Sequence, residues 1–256
     1  MGLTRFRAVA FDLDDTLAHS KSAISPRMAQ LLINLAEIMP VCVISGGRFE
    51  QFEQQLLSNL PLTDLAAGHL HLMPTCGTRY FRIASGDWVE VYAENLSADE
   101  KTKAVQALER GAKKLGLWMP DHVVFGPRIE DRGSQITYSA LGQRAPVREK
   151  KEWDPDGSKR RGLQQQVQRN LPDLEVRAGG STSIDITRKG IDKAHGIREF
   201  ARIVGVPFPE ILFVGDRLEP GGNDYPVVAL GVQTIAVRNC DETEELLPSV
   251  IAFARS

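Results

Sequence analysis

Short, continuously apolar runs separated by amphipathic stretches predict the strands of a parallel sheet. Residues 8–11, 41–44 and 210–214 read Ala-Val-Ala-Phe, Val-Cys-Val-Ile and Glu-Ile-Leu-Phe-Val. Continuous hydrophobicity, rather than alternation, is typical of strands that are buried on both faces. Ser25-Pro26 opens a predicted helix after the first run, since serine caps helices and proline suits the first helical position. We therefore predict an α/β fold with a Rossmann-like parallel sheet.

The middle of the chain has a different pattern, with short alternating strands, a hairpin and amphipathic helices. Residues 148–161 are charged and aperiodic, so we predict an exposed connection there. The pattern of buried strands and helices resumes near residue 190. This indicates a core domain of residues 1–83 and 190–256, interrupted by an inserted α/β (α+β) cap domain of residues 84–189.

Several shorter elements follow from the same rules. Residues 123–125 and 227–230 have strand character, and Asp241 is expected to cap the last helix. His69 and His71 alternate on another predicted strand. Such a pair suggests metal ligands, but a strand with one polar face is the favoured interpretation because no third ligand is evident.

The composition excludes several classes of protein. The 256 residues are 42% hydrophobic and 25% charged, which is typical of a soluble globular protein, and the net charge of −2 argues against a nucleic-acid partner. Three widely spaced cysteines do not fit a disulfide framework or a zinc site. Because no run of about 18 apolar residues occurs, no membrane association is expected. We expect a cytoplasmic protein.

Functional groups follow the predicted strands where the strands end. Asp12 and Asp14 follow the first strand, and their spacing puts both on one side of an extended segment. Ser45, Gly46 and Gly47 follow the second strand, where a hydroxyl and close backbone amides suit an anion. In an open parallel sheet, ligands bind in the crevice beyond the carboxyl ends of the strands.

Three more ionisable residues belong to this edge of the sheet. Lys193 opens a helix where the chain returns to the core, and Asp216 and Asp224 bound a glycine- and proline-rich loop after a buried strand. Two like charges about 4 Å apart repel by roughly 4 kcal/mol at an effective dielectric of 20, so such carboxylates need a cation. Mg²⁺, which prefers oxygen ligands, is the expected cofactor.

These residues resemble the motifs of a known superfamily. Asp12-Leu13-Asp14-Asp15-Thr16 resembles the Asp-x-Asp-x-Thr motif of the haloacid dehalogenase (HAD) superfamily, and Ser45 matches its second motif. Gly215-Asp216 followed by Pro220-Gly221-Gly222-Asn223-Asp224-Tyr225 is similar to the fourth motif of the eukaryotic-type phosphomannomutases. The chain thus resembles subclass IIB, the branch with an inserted α/β cap, and its sugar phosphatases and mutases.

The resemblance implies a role for each motif residue. Asp12 would attack phosphorus to form an aspartyl-phosphate, and Asp14 would act as general acid and base. Lys193 and Ser45 would offset the charge of the phosphoryl oxygens. The expected metal ligands are Asp12, the main-chain carbonyl of Asp14, Asp216 and Asp224.

The cap carries a weaker resemblance. The segments Arg132–Ile136 and Gly179–Asp185 are similar to those that hold the hexose in the mutases. Each cap arginine is alternatively an ordinary surface residue. The expected substrate-binding residues are Gly46, Gly47, Arg128, Arg132, Arg144, Ser183 and Asp185.

The chain also departs from the mutase pattern. Phe125 and Gln143 stand where the mutases have arginines that grip a second phosphate, although Arg128 and Arg144 are near enough in sequence to compensate. Asp15 replaces a glycine, and Pro74-Thr75-Cys76-Gly77 replaces Pro-Glu-Asn-Gly.

Three functions remain open from the sequence. The favoured one is a Mg²⁺-dependent phosphohydrolase that acts on a phosphorylated sugar or a similar small metabolite. The same-superfamily alternative is a phosphohexomutase that uses a hexose bisphosphate, and a third is a non-catalytic sugar-phosphate-binding module. A monomer or a homodimer is expected.

Overall fold

A computed structural model describes residues 4–255, except for the side chain of Val147. These residues form two compact units. The first contains the chain up to Ala93 and again from Asp192, and the second is Glu94–Ile191. The polypeptide therefore leaves the first unit once and returns to it.

The regular elements alternate between strands and helices in most of the chain. In chain order, the strands are β1 (Ala8–Asp12), β2 (Val41–Ile44), β3 (Leu70–Met73), β4 (Arg79–Ala84), β5 (Asp87–Ala93), β6 (Ile129–Asp131), β7 (Ile136–Ser139), β8 (Leu174–Ala178), β9 (Ser183–Arg188), β10 (Ile211–Gly215) and β11 (Gln233–Ala236). The helices are α1 (Pro26–Ala36), α2 (Phe49–Gln55), α3 (Asp64–His69), α4 (Ala98–Lys114), α5 (Val147–Trp153), α6 (Ser158–Gln168), α7 (Lys193–Val204), α8 (Tyr225–Val228) and α9 (Cys240–Ala254).

The predicted parallel sheet is confirmed in the first unit. Within residues 4–255 this unit contains a seven-stranded sheet in the order β11-β10-β1-β2-β3-β4-β5. The strands from β11 to β3 are parallel, and β4 and β5 are antiparallel. Phe11 of β1 pairs with Val214 of β10, and Asp12 pairs with Ile44 of β2. The carboxyl ends of β1, β2 and β10 therefore lie side by side.

Helices cover both faces of this sheet, which explains the continuous apolar runs. Val9 and Phe11 lie in one buried cluster with residues of α1, whereas Ala8 and Ala10 lie in another with residues of α7. Because successive strand residues point to opposite faces, a strand covered on both sides must be apolar at every position.

Helix caps place the ends of the covering helices. Ser25 Oγ accepts a hydrogen bond of 2.9 Å from the amide of Met28, as predicted for α1. Asp192 caps α7 in the same way, which makes Lys193 the first helical residue. The prediction that Asp241 caps the last helix is wrong. Asn239 lies in extended backbone before α9, and its side chain accepts the Glu242 amide instead.

The second unit is a small α+β structure with its own core. Its strands form an antiparallel sheet in the order β6-β7-β9-β8. Leu108 of α4 and Leu163 of α6 pack with Tyr138 and Ile184 of the sheet in one buried cluster. Ser97 and Glu100 form the predicted capping box at the start of α4.

The boundary of this unit differs from the predicted residue 84. The hairpin strand β5 pairs with β4 along its whole length and extends the sheet of the first unit, so the second unit begins at Glu94. A hairpin turn resembles a domain boundary in sequence because both are rich in glycine and polar residues.

Three local predictions are wrong. The expected connection at 148–161 contains α5 and the start of α6, where Asp154 accepts the amides of Lys159 and Arg160 and so supplies a cap that periodicity does not show. Residues 121–123 form a 3₁₀ turn, so the strand expected at 123–125 is absent. The stretch at 227–230 lies in and after the short helix α8, whose first turn contains proline.

The two histidines near β3 have separate partners. His69 Nδ1 lies 2.8 Å from the carbonyl oxygen of Ala36, and His71 Nδ1 lies 2.8 Å from the hydroxyl of Tyr80. His71 also packs edge-on against Phe200. His69 is the last residue of α3, and all four residues of β3 are buried, so the favoured interpretation of a strand with one polar face is wrong. Each histidine is instead satisfied by its own partner.

Among residues 4–255, no helix combines the length and the apolar composition that crossing a bilayer requires.

Burial gives His71 a defined effect on acid stability. Desolvation, with smaller contributions from His69 and Arg82, lowers the pKa of His71 to about 4. Because the unfolded chain binds a proton at about pH 6.5, stability is present above this value and falls as the pH is lowered toward 4. Between about pH 7 and pH 5, His71 should cost the wild-type protein about 2 kcal/mol of unfolding free energy, and His71→Phe should not lose this amount.

Denaturant titrations at the two pH values measure this difference. Tyr80→Phe is the matched control, because it removes the hydrogen bond to His71 but keeps the buried imidazole and its pH dependence. Equal acid sensitivity of wild type and His71→Phe would contradict the assignment.

Candidate active site

Three carboxylates from the ends of β1 and β10 form a compact cluster. One oxygen from each of Asp12, Asp216 and Asp224 lies within 4.8 Å of the others. Asp12 and Asp224 are buried, and Asp216 is half-buried. The cluster joins the first motif with the two acids of the fourth, as the parallel topology predicts.

The ammonium group of Lys193 lies among these acids. Its Nζ is 2.5 Å from Asp12 Oδ1 and 2.5 Å from Asp224 Oδ1, and the lysine is only 1% exposed. An unpaired buried charge is strongly destabilising, so the lysine and the two acids depend on one another. The cap of α7 by Asp192 is what brings this lysine to the first turn.

The electrostatics of the cluster reflect crowding of negative charge. Burial raises the pKa of Asp12 well above its ordinary value. The charge of Lys193 lowers this pKa, whereas the charges of Asp224 and Asp216 raise it further. Burial and Asp224 likewise raise the pKa of Asp216. Burial alone would lower the pKa of Lys193, but attraction by Asp12 and Asp224 outweighs it and raises that pKa. The lysine is therefore protonated, and the acids need further positive charge to ionise together.

The charge and the donors of this cluster fit Mg²⁺. Three carboxylates and one ammonium leave a formal charge of −2 when all are ionised. Magnesium takes hard oxygen ligands, typically one or two carboxylates together with water and phosphate oxygens. Asp12, Asp216 and Asp224 present such oxygens within reach of a single ion.

Asp14 lies outside the carboxylate cluster and has its own partners. Gln51 Nε2 donates to Asp14 Oδ2 at 2.7 Å, and Gln55 Nε2 lies 3.3 Å from Asp14 Oδ1. The amide of Lys21 also donates to Oδ1 at 3.3 Å. The side chain of Asp14 is thus held by α2, and it stays the predicted general acid and base. Its main-chain carbonyl remains a predicted metal ligand.

The sequence did not identify Gln51 and Gln55 as site residues. They lie four residues apart on α2, which puts them on the same face of the helix. In sequence, a pair of glutamines on a helix resembles solvent-exposed polar residues, so no sequence signal singled them out. Gln55 also donates to the carbonyl of Ser22 at 3.1 Å, so this face of α2 holds the loop that follows β1.

Ser45 and the glycines after it form a tight turn from β2 into α2. Ser45 Oγ accepts the amide of Gly47 at 3.1 Å, so its hydroxyl proton is the donor that it can offer to another group. A Cβ at Gly47 would lie 1.9 Å from Oε1 of Gln51, which shows how closely that side chain crosses the turn. Gly46 and Gly47 stay predicted substrate-binding residues.

Glycine also permits the close approach of Asp224 to β10. A Cβ at Gly215 would lie 2.5 Å from Asp224 Oδ2. The same oxygen accepts the amide of Arg217 at 3.1 Å, which folds the glycine-rich loop back onto its start. Asp224 is therefore fixed by the loop and by Lys193 together.

Strained backbone lies beside these strand ends. Asp15, Thr75 and Cys76 have φ values of 59°, 49° and 58°. Non-glycine residues with positive φ cost free energy and cluster at functional sites. Two departures from the mutase pattern therefore lie in left-handed backbone, which disfavours residues with a side chain. They are at Asp15 and at Thr75-Cys76.

In the second unit, the two segments that resemble hexose-binding segments lead into paired strands, Arg132–Ile136 into β7 and Gly179–Asp185 into β9. Thr137 of β7 pairs with Asp185 of β9, and the Thr137 hydroxyl donates to Asp185 Oδ1 at 2.7 Å. Burial raises the pKa of Asp185, against the opposing charge of Arg132. Ser183 lies on the same strand, at the position that pairs with Ser139.

The two arginines expected to compensate for Phe125 and Gln143 differ from each other. Arg128 stacks on Trp118, donates through Nη1 to Asp121 at 2.6 Å, and also bonds the carbonyl of Met119. Most of its guanidinium is thus engaged within the second unit. Arg144 is exposed, and its side chain packs near Gly126.

Comparison with known proteins places this site in a family context. The family model described as eukaryotic phosphomannomutase matches residues 28–252. The probable phosphomannomutase of Caenorhabditis elegans is 26% identical over 233 residues, which cover 86% of this chain and 85% of that protein.

Two solved structures share the fold. An N-terminally truncated IMP-nucleotidase of Plasmodium falciparum matches with a TM-score of 0.71 at 15% identity, over 97% of this chain and 71% of that one. A haloacid dehalogenase-like hydrolase from Bacteroides thetaiotaomicron matches with a TM-score of 0.60 at 16% identity, over 96% of this chain and all of that one. The predicted HAD fold is confirmed.

The dependence of the acids on Lys193 can be tested by removing its charge. We expect Lys193→Met to lower the unfolding free energy by about 3–5 kcal/mol in a chelating buffer, the cost of leaving one side of a buried ion pair unpaired. Mg²⁺ should restore part of this stability, since a ligand of the folded state stabilises it.

Denaturant titrations with and without Mg²⁺ measure both effects. Lys189→Met, at a nearby exposed lysine, is the matched control and should change neither quantity. A Lys193→Met protein as stable as wild type in chelator would contradict the paired-charge interpretation.

Proposed function

The chain belongs to the eukaryotic phosphomannomutase family, and we propose that it is a phosphohydrolase that acts on a small phosphorylated sugar through an aspartyl-phosphate at Asp12. At the coarser level it is a HAD-type sugar-phosphate enzyme. The observation that carries the proposal is the carboxylate of Asp12, buried and paired with Lys193 at the end of the central strand.

In the proposed first step, Asp12 attacks phosphorus. A bond forms between its carboxylate oxygen and phosphorus while the bond from phosphorus to the sugar oxygen breaks. Asp14 gives its proton to the departing alkoxide. Lys193 and the Ser45 hydroxyl would offset the charge on the phosphoryl oxygens.

In the second step, water resolves the intermediate. Asp14, now a carboxylate, takes a proton from the water as the water oxygen bonds to phosphorus. The bond between phosphorus and Asp12 breaks, inorganic phosphate leaves, and Asp12 is regenerated. The same acid thus serves both steps in opposite protonation states.

Mg²⁺ would be held by Asp12, Asp216, Asp224 and the carbonyl of Asp14. When bound, it supplies positive charge that keeps the acids ionised and stabilises the transferring phosphoryl group. Gln51 and Gln55 hold the Asp14 carboxylate through their side-chain amides. We propose Gly46, Gly47, Arg132, Ser183 and Asp185 as residues that select the substrate.

Hydrolysis is favoured over isomerisation by the second unit. A mutase must hold a bisphosphorylated sugar while it turns, which requires a strong grip on a second dianion. Phe125 and Gln143 carry no positive charge, and Arg128 is engaged with Asp121 and the Met119 carbonyl. Of the two arginines expected to replace the grip lost at Phe125 and Gln143, this leaves only Arg144 to hold a second phosphate.

A phosphohexomutase is the second candidate, favoured by the family match over most of the chain. It differs only in that a sugar hydroxyl, rather than water, resolves the aspartyl-phosphate. A non-catalytic sugar-phosphate-binding module is the third, and the presence of both Asp12 and Asp14 argues against it.

A phosphate-release screen over sugar phosphates with Mg²⁺ tests the proposal. It is run beside a coupled isomerisation assay with glucose 1,6-bisphosphate as activator. We expect release of phosphate, and we expect Asp12→Asn to abolish it because the amide keeps the size of the carboxylate but is not a nucleophile. Asp64→Asn, at an exposed acid on α3, is the matched control and should retain full activity.

The two assays separate the candidates. Isomerisation without phosphate release would replace hydrolysis by the mutase reaction. Binding of a sugar phosphate with neither activity would favour the binding module. Turnover near wild type in folded Asp12→Asn would contradict the role of Asp12.

The contact between Gln51 and Asp14 gives a separate prediction. A hydrogen bond to a charged group contributes about 1.5–3 kcal/mol, so Gln51→Ala should lower kcat by roughly 10-fold or more. KM should change little, because the amide contacts the acid–base group rather than the substrate. Gln54→Ala, at the exposed glutamine on the same helix, should leave both constants unchanged. A change confined to KM would argue against this role.

A further inference from the structure

A second group of potential metal ligands lies in the first unit. His19 is in the loop after β1, and Cys240 and Asp241 are the first two residues of α9. An imidazole nitrogen, the thiol sulfur and a carboxylate oxygen lie within 4.8 Å of one another. Nε2 of His19 is 4.0 Å from Oδ1 of Asp241. Two segments from opposite ends of the chain thus bring three different donor types together.

The donor types differ from those of the acid cluster. Thiolate, imidazole and carboxylate are the usual ligands of Zn²⁺, whereas Mg²⁺ prefers oxygen alone. Ligands about 2.0–2.3 Å from a tetrahedral ion are separated by roughly 3.3–3.8 Å, so a spacing of up to 4.8 Å must contract by at most about 1.5 Å. The side chains of His19 and Asp241 are 63% and 77% exposed, so both have room to move closer to a bound ion.

The surroundings favour a cation rather than a helix cap. Asn239 already caps α9 through its bond with the Glu242 amide, so Asp241 is not needed for that purpose. Asp15 and Glu244 lie close enough to act electrostatically on Cys240, in addition to Asp241. Burial is the largest cause of the raised pKa of Cys240, and these carboxylates add to it; a divalent ion would offset their charge.

We propose that His19, Cys240 and Asp241 form a Zn²⁺ site with one position open to water. Cys240 binds as the thiolate and gives up its proton to solvent, and His19 binds through neutral imidazole. The bound ion joins the loop that carries Asp14 and Asp15 to the first turn of α9.

A Co²⁺ titration tests the site without measuring turnover. Chelator-treated full-length protein is first given excess Mg²⁺, which fills sites made only of oxygen ligands. Co²⁺ is then added while the near-ultraviolet absorption from thiolate to cobalt is recorded. We expect a band that saturates near one equivalent and disappears when Zn²⁺ is added, because Zn²⁺ displaces cobalt from a sulfur-containing site.

Variants assign the ligands. Cys240→Ser should abolish the band, whereas Cys76→Ser, which removes a half-buried thiol elsewhere, should keep it. His19→Ala should weaken Co²⁺ binding on the order of 100-fold, since loss of even an outer-shell partner costs roughly 10- to 100-fold.

Two results would overturn the proposal: absence of the band in wild type, or an unchanged band in Cys240→Ser. If Cys240→Ser does not fold, His19→Ala keeps the test decisive because this histidine is exposed, and unchanged Co²⁺ affinity would then exclude the site. Since the readout is spectroscopic, its failure is distinct from failure of the proposed phosphohydrolase activity.

Discussion

The contact of one buried ammonium group with two buried carboxylates is the constraint on which the active site depends. Lys193 Nζ lies 2.5 Å from both Asp12 and Asp224, and none of the three is more than slightly exposed. Charges withdrawn from water in this way are tolerated only when paired. The end of β1, the start of α7 and the loop after β10 must therefore meet at one point. The site and the fold of the first unit are specified by the same three side chains.

Glycines make that meeting sterically possible. A side chain at Gly215 would collide with Asp224, and one at Gly196, on α7, would lie 2.3 Å from Ile44 and 2.9 Å from the carbonyl of Cys76. The helix that carries Lys193 is thus pressed against β2 and the turn after β3. Because the interior is packed at this density, the position of the lysine is determined by backbone contacts rather than by its flexible side chain alone.

The parts that the sequence predicts well are those dictated by burial. β1 up to Phe11 and all of β2 are apolar because helices cover both faces. Asp12 and Ser45 meet at one edge of the sheet because the two strands are parallel. Polar contacts that arise only in three dimensions escape the pattern. Gln51 and Gln55 resemble solvated helix residues, yet they hold Asp14. Likewise α6 is stabilised by Asp154, whose capping role is invisible in a charged, aperiodic stretch.

Asp15 links the acid cluster to the start of α9. Burial is the largest cause of the raised pKa of Asp216 and of Cys240, and the charge of Asp15 adds to both. Asp15 itself lies in left-handed backbone, at a position where the mutases have glycine, so its side chain is kept there against a conformational cost. The loop after β1 thus contributes the same exposed charge to the acid cluster and to the start of α9, and because solvent screens that charge, its effect stays smaller than that of burial at both.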